Sequence, residues 1–190
     1  GLFRRHSAQT AIENHLISTG SLYVTDLDGD RVQINTSDTF PTASQPCIAI
    51  DPDTLRVFAV GGYDESTGTD FASGYEAVDT IQVYQFDDDS LTTGEVITTW
   101  NWTDSIGLVK QIDYNDLELP EPRYGAVCMY WKRLDNPVEE YLVVINGMDN
   151  TNKIGLRSSW YKNVKLIRLS NSIKTYPLSG ESDSNLELNY

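Results

Sequence analysis

The stretch RVFAVGG, from Arg56 to Gly62, is a short apolar strand that ends in two glycines, and a second copy of it decides the fold. The copy is EYLVVING, from Glu140 to Gly147, in which Asn146 stands in place of the first glycine. A repeat of this kind is typical of proteins that stack one supersecondary unit on the next. Glycine at the end of such a strand indicates a positive φ angle or a close approach of another backbone segment.

Further strands align around these two elements. The alternating apolar pattern of TIQVYQF (80–86) matches that of NVKLIRL (163–169), at nearly the same distance after the glycines. Before the glycines, CIAI (47–50) matches AVCM (126–129). The fourth strands are EVITTW (95–100) and IKTYP (173–177). The N-terminal stretch gives a shorter copy of the unit in RRHSAQTAI (4–12), HLISTG (15–20), SLYVTDL (21–27) and DRVQIN (30–35). Each unit is therefore predicted to be four antiparallel strands, which makes the chain all-β.

The repeat divides the chain into three units and a short remainder. Residues 1–40 form a degenerate first unit, 41–120 a second unit with long loops, 121–178 a third unit, and 179–190 an acidic tail or linker. A four-stranded sheet of this size cannot bury both of its faces alone. Each unit is therefore expected to stack on its neighbours.

The pattern resembles the kelch repeat, in which two glycines follow the second strand and spaced aromatic residues come later. The residues that carry the resemblance are Gly61, Gly62, Tyr84 and Trp100 in the second unit, and Arg123, Tyr124, Gly125 and Gly147 in the third. Departures from it are Asn146, the single Gly20 of the first unit, and Tyr176 where a Trp is expected. The resemblance implies a β-propeller fragment of four-stranded antiparallel blades.

Three blades do not make a ring, because propellers close with about four to eight. The rest of the ring is then expected in further sequence or in partner chains, or the blades stack openly in an assembly. The alternative fold is a β-sandwich.

The composition excludes several classes of function. A formal net charge of −14 is spread along the chain, so a nucleic acid would be repelled. Apolar runs such as 141–145 are strand-sized and shorter than the roughly 20 residues that span a bilayer. No nucleic acid partner and no membrane span are therefore expected.

Two acidic clusters suggest calcium but are better explained as turns. Asp26, Asp28 and Asp30 alternate in DLDGD, yet Arg31 stands where an EF-hand loop needs glycine. Asp-Gly between two alternating stretches favours a tight hairpin. The cluster 87–89 lies at the matching hairpin of the second unit. We predict no metal site and no cofactor.

Catalytic groups are equally scarce. Both histidines, His6 and His15, lie in the first unit, and a Ser-His-Asp or Cys-His arrangement would need one of them. Cys47 and Cys128 occupy nearly equivalent inner strands, which we expect to lie too far apart for a disulfide. They are predicted to be free, buried, small apolar residues, and the protein is predicted not to be an enzyme.

Two sequons and several loop aromatics are the candidate surface sites. Asn35 and Asn101 begin N-glycosylation sequons just after the last strand of a unit, where a loop is expected. The long loops 63–79, 103–121 and 148–161 are expected on one face, and aromatic residues there suit protein binding. The predicted binding residues are Phe71, Tyr75, Tyr114 and Trp160.

These observations predict a non-catalytic module for protein binding or structural assembly, outside the cell or at its surface. A cytoplasmic kelch adaptor is the alternative, favoured by two unpaired cysteines. A third hypothesis is part of a propeller enzyme, an oxidoreductase or carbohydrate-active protein, whose catalytic residues lie outside this chain.

Overall fold

A computed structural model shows an all-β protein built from antiparallel sheets. It describes residues 9–12, 15–18, 23–25, 28–33, 40–41, 43, 45–64, 76–103, 109–133, 139–149, 159–169, 175–176 and 186–187. Within these residues the chain forms three antiparallel meanders of four strands, as the repeat predicts, and the third sheet gains a fifth strand. The described meanders do not close into a ring.

The first sheet is formed by the N-terminal unit. Its strands are β1 (Gln9–Ile12), β2 (His15–Ser18), β3 (Tyr23–Thr25) and β4 (Arg31–Gln33), hydrogen-bonded in that order. Asp28 lies in the turn that joins β3 to β4, and Gly29 has a φ of 87°. A hairpin at the predicted place is confirmed, because β3 and β4 pair in antiparallel register, and its innermost pair, Thr25 with Arg31, is wider than the tight turn that was predicted. Glycine adopts the left-handed conformation of residue 29 without a steric cost.

The second sheet repeats this meander with an insertion in the middle. Its strands are β5 (Cys47–Asp51), β6 (Arg56–Val60), β9 (Ile81–Phe86) and β10 (Gly94–Ile97), and the insertion carries the small hairpin β7 (Tyr63–Asp64) and β8 (Glu76–Ala77). All five residues of β6 are buried. A strand that is apolar on both faces indicates a sheet covered on both sides.

A two-stranded hairpin connects the second sheet to the third. It consists of β11 (Thr99–Thr103) and β12 (Val109–Asp113), followed by the 3-10 turn η1 (Tyr114–Asp116). The predicted fourth strand, 95–100, is therefore wrong at its end. It stops at Ile97, and Trp100 belongs to β11, where it pairs with Ile112.

The third sheet has the same insertion as the second. Its strands are β13 (Val127–Arg133), β14 (Glu139–Ile145), β17 (Asn163–Arg168) and β18 (Thr175–Tyr176), its inserted hairpin is β15 (Met148–Asp149) and β16 (Ser159–Trp160), and β19 (Leu186–Glu187) also pairs with β17. Residues 186–187, within the predicted tail, thus belong to this sheet.

The glycine positions of the repeat agree in backbone conformation. Gly61 and Gly62 have φ angles of 63° and 110°, and Asn146 and Gly147 have 58° and 106°. Asn is one of the few residues other than Gly that adopts the left-handed region readily. A Cβ at Gly61 would lie 2.3 Å from the carbonyl oxygen of Arg123, so the second unit has both the positive φ and the close approach that the sequence predicts.

The second sheet packs between its two neighbours. One core cluster joins the face of the second sheet that is turned toward the first sheet to Val24 of that sheet and to Phe40. The other joins its opposite face to Leu142, Val144 and Ile167 of the third sheet. The first strands of the three sheets also lie side by side, with β1 against β5 and β5 against β13.

Candidate interaction surface

Of the predicted loop residues, the structure describes the positions of Tyr114 and Trp160. Phe71 and Tyr75 lie outside the described residues, as does Asn35. Trp160 lies in β16, opposite Met148, in the small hairpin at the end of the third sheet. Its role in binding stays a prediction.

Asn101 does not lie in a loop, and this part of the prediction is wrong. It sits in the middle of β11 and pairs with Gln111 of β12. A loop was expected after the fourth strand at this point, but the chain immediately forms another hairpin. Glycosylation at Asn101 stays a prediction.

The prediction that Tyr114 lies on the binding face is wrong. Its side chain is only 3% exposed, and its hydroxyl accepts a hydrogen bond from Arg56 Nη1 at 2.7 Å. The ring also packs edge-on against Phe58. Burial raises the pKa of Tyr114 to about 12, against the opposing attraction of Arg56. Tyr114 therefore stabilises the joint between sheets and does not face a partner.

Arg56 is the centre of a buried ionic cluster at this joint. Its Nη2 atom lies 2.6 Å from Asp51 Oδ2 in the same sheet and 3.0 Å from Glu140 Oε2 in the third sheet. Its guanidinium also lies 4.4 Å from the ring centroid of Trp100. Burial alone lowers the pKa of Arg56, but attraction to Tyr114, Glu140 and Asp51 outweighs it and raises the pKa. The cluster joins two sheets by charge.

Arg123 forms a second buried cluster, within the third unit, and its backbone carbonyl accepts a hydrogen bond from Gly62 N of the second unit at 2.8 Å. Its Nη1 atom donates to the Asn146 carbonyl at 3.0 Å and to Asn163 Oδ1 at 2.9 Å. Its Nη2 atom is 2.6 Å from Glu121 Oε2, and its guanidinium lies 4.4 Å from the ring centroid of Tyr161. Burial lowers the pKa of Arg123, partly offset by Glu121. The polar partners of this guanidinium are residues of the third unit, so the cluster ties the end of β14 to the start of β17.

Cys47 and Cys128 are joined by a disulfide, which contradicts the prediction that they are free. Their Cα atoms are 5.7 Å apart, within the range that a disulfide needs. The prediction failed because β5 and β13 lie directly side by side at the point where the two sheets meet. Sequence spacing alone does not reveal this contact.

An exposed apolar strip on β13 is the candidate interaction surface. It consists of Val127, Met129 and Trp131, whose side chains are 61%, 49% and 43% exposed, and we call it the β13 strip. They are the large apolar side chains that the described part of the chain leaves exposed. The intervening residues Cys128 and Tyr130 pack into the core. Since alternate residues of a strand point to opposite faces, β13 is apolar on both.

The surroundings of the strip hold its aromatic end in place. Trp131 stacks on Tyr141 of β14, with ring centroids 5.3 Å apart. Nearby, Glu139 pairs with Arg168 at 2.6 Å and lies 3.9 Å from Arg133. The apolar run 126–131 is the signal that could have found the strip, because a half-buried strand would alternate with polar residues.

The acidic cluster at 87–89 forms a turn. Asp88 Oδ1 accepts hydrogen bonds from the backbone and hydroxyl of Ser90, which lower the pKa of Asp88 and fit a capped turn. No group of three His, Cys, Asp or Glu among the described residues is placed to hold a metal ion. Within the same residues, no helix is long and apolar enough to cross a membrane.

Comparison of the chain with family models, with curated proteins and with solved structures gave no match.

Proposed function

We propose that this chain is a non-catalytic module of kelch-like β-propeller blades that binds a protein through the β13 strip. The observation that carries the proposal is the exposure of Val127, Met129 and Trp131 on one strand. Contiguous apolar surface of this kind marks protein interaction sites in proteins that otherwise bury such residues. Trp is also among the residues that contribute most to binding energy at interfaces.

The propeller part of the proposal is supported by how the sheets are connected. Each sheet is made from one contiguous stretch of chain as a meander, and successive sheets stack face to face. The β-sandwich alternative would exchange strands between its two sheets through Greek-key connections. The repeated glycine conformation at 61–62 and 146–147 favours the kelch-like reading further.

The disulfide favours an extracellular or cell-surface location. Disulfides between structural cysteines persist in oxidising compartments and are rare in the cytosol. The alternative of a cytoplasmic adaptor was based on two unpaired cysteines, and Cys47 and Cys128 are paired. The extracellular assembly is therefore the candidate that we retain.

A non-catalytic role is supported by the contacts of the buried charged groups, which are structural. Arg56 and Arg123 are fully buried, and each lies between carboxylates and an aromatic ring, Arg56 at the joint of two sheets and Arg123 within the third unit. The hydroxyl that is hydrogen-bonded to a carboxylate in the Arg56 cluster is that of Thr54, which donates to Asp51 Oδ2 and accepts from Arg56 Nε. Its hydrogen bonds are therefore part of the ion cluster, which supports a structural role for the cluster.

The proposal is tested by site-specific photocrosslinking in the cells that secrete the protein. A photoreactive benzoylphenylalanine is placed at position 129, and the matched control carries it at position 93, since Thr93 is exposed on a hairpin of the second sheet. We expect one protein adduct of defined mass from position 129 and none from position 93. Equal labelling from both positions, or no protein adduct from position 129, would overturn the proposal.

A further inference from the structure

We infer that Asn146 is a site of spontaneous modification, at which the side-chain amide is lost and the residue becomes aspartate or isoaspartate, and that the buried Arg123 cluster restrains this reaction in the folded chain. The inference goes beyond the proposed function, because Asn146 follows β14 and is not part of the β13 strip. It starts from the residue that stands in place of the first glycine of the repeat.

The chemistry needs only the two residues themselves and water. The nitrogen of Gly147 attacks Cγ of Asn146, the bond from Cγ to Nδ2 breaks, and ammonia leaves with the proton of the attacking nitrogen. The five-membered imide then takes up one water at either of its two carbonyl groups, which gives aspartate or isoaspartate. Glycine is the most reactive following residue, because it has no Cβ to crowd the attacking nitrogen. Residues 146–147 are the one Asn-Gly step of the sequence.

The fold requires glycine at position 147, which fixes this dipeptide in place. Gly147 has a φ of 106°, and a Cβ built on it would lie 3.2 Å from Cβ of Ala126 and 3.3 Å from Cβ of Arg123. Both contacts are shorter than the optimal separation of carbon atoms. In the second unit the same two positions are Gly61 and Gly62, which have no amide to lose. The reaction is therefore confined to the copy of the pair in the third unit.

The backbone conformation of Asn146 holds the reacting atoms apart. Its φ of 58° lies in the left-handed region, where ψ is about 47°. At that ψ the nitrogen of Gly147 lies on the opposite side of the Cα–C bond from Cβ of Asn146, so it does not reach Cγ. The attack therefore needs about half a turn around this bond.

Hydrogen bonds on both sides of the peptide between Asn146 and Gly147 oppose that rotation. The Asn146 nitrogen donates to the Asn163 carbonyl at 2.8 Å, and the Asn146 carbonyl accepts from Arg123 Nη1 at 3.0 Å. On the other side, the Tyr161 nitrogen donates to the Gly147 carbonyl at 2.9 Å. Since rotation around the Cα–C bond carries the Asn146 carbonyl with it, the hydrogen bond from Arg123 must break before the attack.

The side chain of Asn146 is not held in the way that its backbone is. Its Oδ1 atom is buried and accepts no hydrogen bond from the described residues. A buried acceptor without a partner lowers stability. The fold therefore stabilises the backbone of Asn146 but not its side-chain carbonyl group.

The two products are expected to differ in their effect on the fold. Aspartate keeps the length of the main chain and adds a carboxylate to the residue that Arg123, a fully buried cation, already contacts, and opposite charges attract strongly away from water. Isoaspartate adds one carbon to the main chain, which displaces Gly147 and Met148 from their hydrogen bonds with Tyr161 and Tyr124. Isoaspartate is therefore the product that loosens the end of β14.

The test is peptide mapping by mass spectrometry of the purified full chain, incubated at mildly alkaline pH. We expect aspartate and isoaspartate at position 146, formed roughly 10-fold or more slowly in the folded chain than in the chain unfolded in denaturant, because only the open conformation reacts. Arg123→Lys is expected to react faster than the wild type while folded, since Lys cannot make the forked contacts of Arg. Asn146→Gly, which copies the second unit, is the matched control and should give no product at this site.

Each part of the inference has its own contradicting result. No conversion at position 146 in the unfolded chain would overturn the site, and equal rates in the folded and unfolded wild type would overturn the restraint. Equal rates in folded wild type and folded Arg123→Lys would overturn the role of Arg123. Circular dichroism checks folding, and if Arg123→Lys does not fold, Glu121→Gln replaces it, because Glu121 is the carboxylate that binds the guanidinium. None of these results depends on the β13 strip, so the proposed function is tested separately.

Discussion

Two equivalent sheet faces carry the same pattern of apolar residues but differ in exposure. One is the face of the second sheet that the third sheet covers, and the other is the outward face of the third sheet. Phe58 is fully buried on the first face. Met129, in the row that matches Ala49 and Phe58, is 49% exposed on the second. The residue pattern of each strand is apolar in both cases. What differs is whether another sheet lies on top, so apolar character alone does not tell which faces a chain buries by itself.

Truncation should show this difference as the largest contrast in stability. Phe58→Ala removes a ring that packs against Tyr114 and Tyr130, and it is expected to lower the free energy of unfolding by about 3–5 kcal/mol. Met129→Ala should cost less than about 1 kcal/mol, because half of the side chain is already in water. Denaturant unfolding monitored by tryptophan fluorescence compares the two variants. Similar losses for both would mean that the strip is buried.

Loss of the disulfide should have the next largest effect on stability, because the disulfide links the second sheet to the third sheet that covers it. It links residues 81 apart in sequence, and its loss is expected to lower the free energy of unfolding by about 2–4 kcal/mol. The variant is the double substitution Cys47→Ser with Cys128→Ser, and the matched control is the wild-type chain after reduction and alkylation in denaturant. Thiol titration of the wild-type protein, unfolded in denaturant without a reducing agent, should find no free thiol. Two free thiols would contradict the pairing.

Much of the architecture could be predicted from the repeat alone. The strands around Arg56–Val60 and Ile81–Phe86, and their copies in the third unit, lie where the alternating pattern placed them. Local patterns succeed here because strand period and glycine conformation are properties of neighbouring residues. The alignment of Asn146 with the first glycine of the pair, and its left-handed backbone, follow from the same local chemistry.

The site could not be predicted in the same way, because it depends on contacts between sheets. Tyr114 appeared to be a loop aromatic, yet it is buried against Arg56, 58 residues away in sequence. Cys47 and Cys128 appeared to be separated, yet their strands touch. The exposure of Met129 is likewise set by which face has a neighbour. None of these facts is contained in the residues of one strand.

The smallest expected effect comes from exchanging the residues that distinguish the two copies of the glycine pair. Gly61→Asn puts a Cβ 2.3 Å from the Arg123 carbonyl oxygen, and the crowded backbone is expected to lower the free energy of unfolding by about 1–3 kcal/mol. Asn146→Gly keeps a backbone with φ of 58° that both residues adopt, and it should change stability by less than about 1 kcal/mol in either direction. Thermal unfolding of the two variants side by side measures the asymmetry. Equal effects would mean that only the left-handed conformation matters at these positions, whereas a larger loss at Gly61 would show that the segment through Arg123 fixes the second sheet by direct backbone contact.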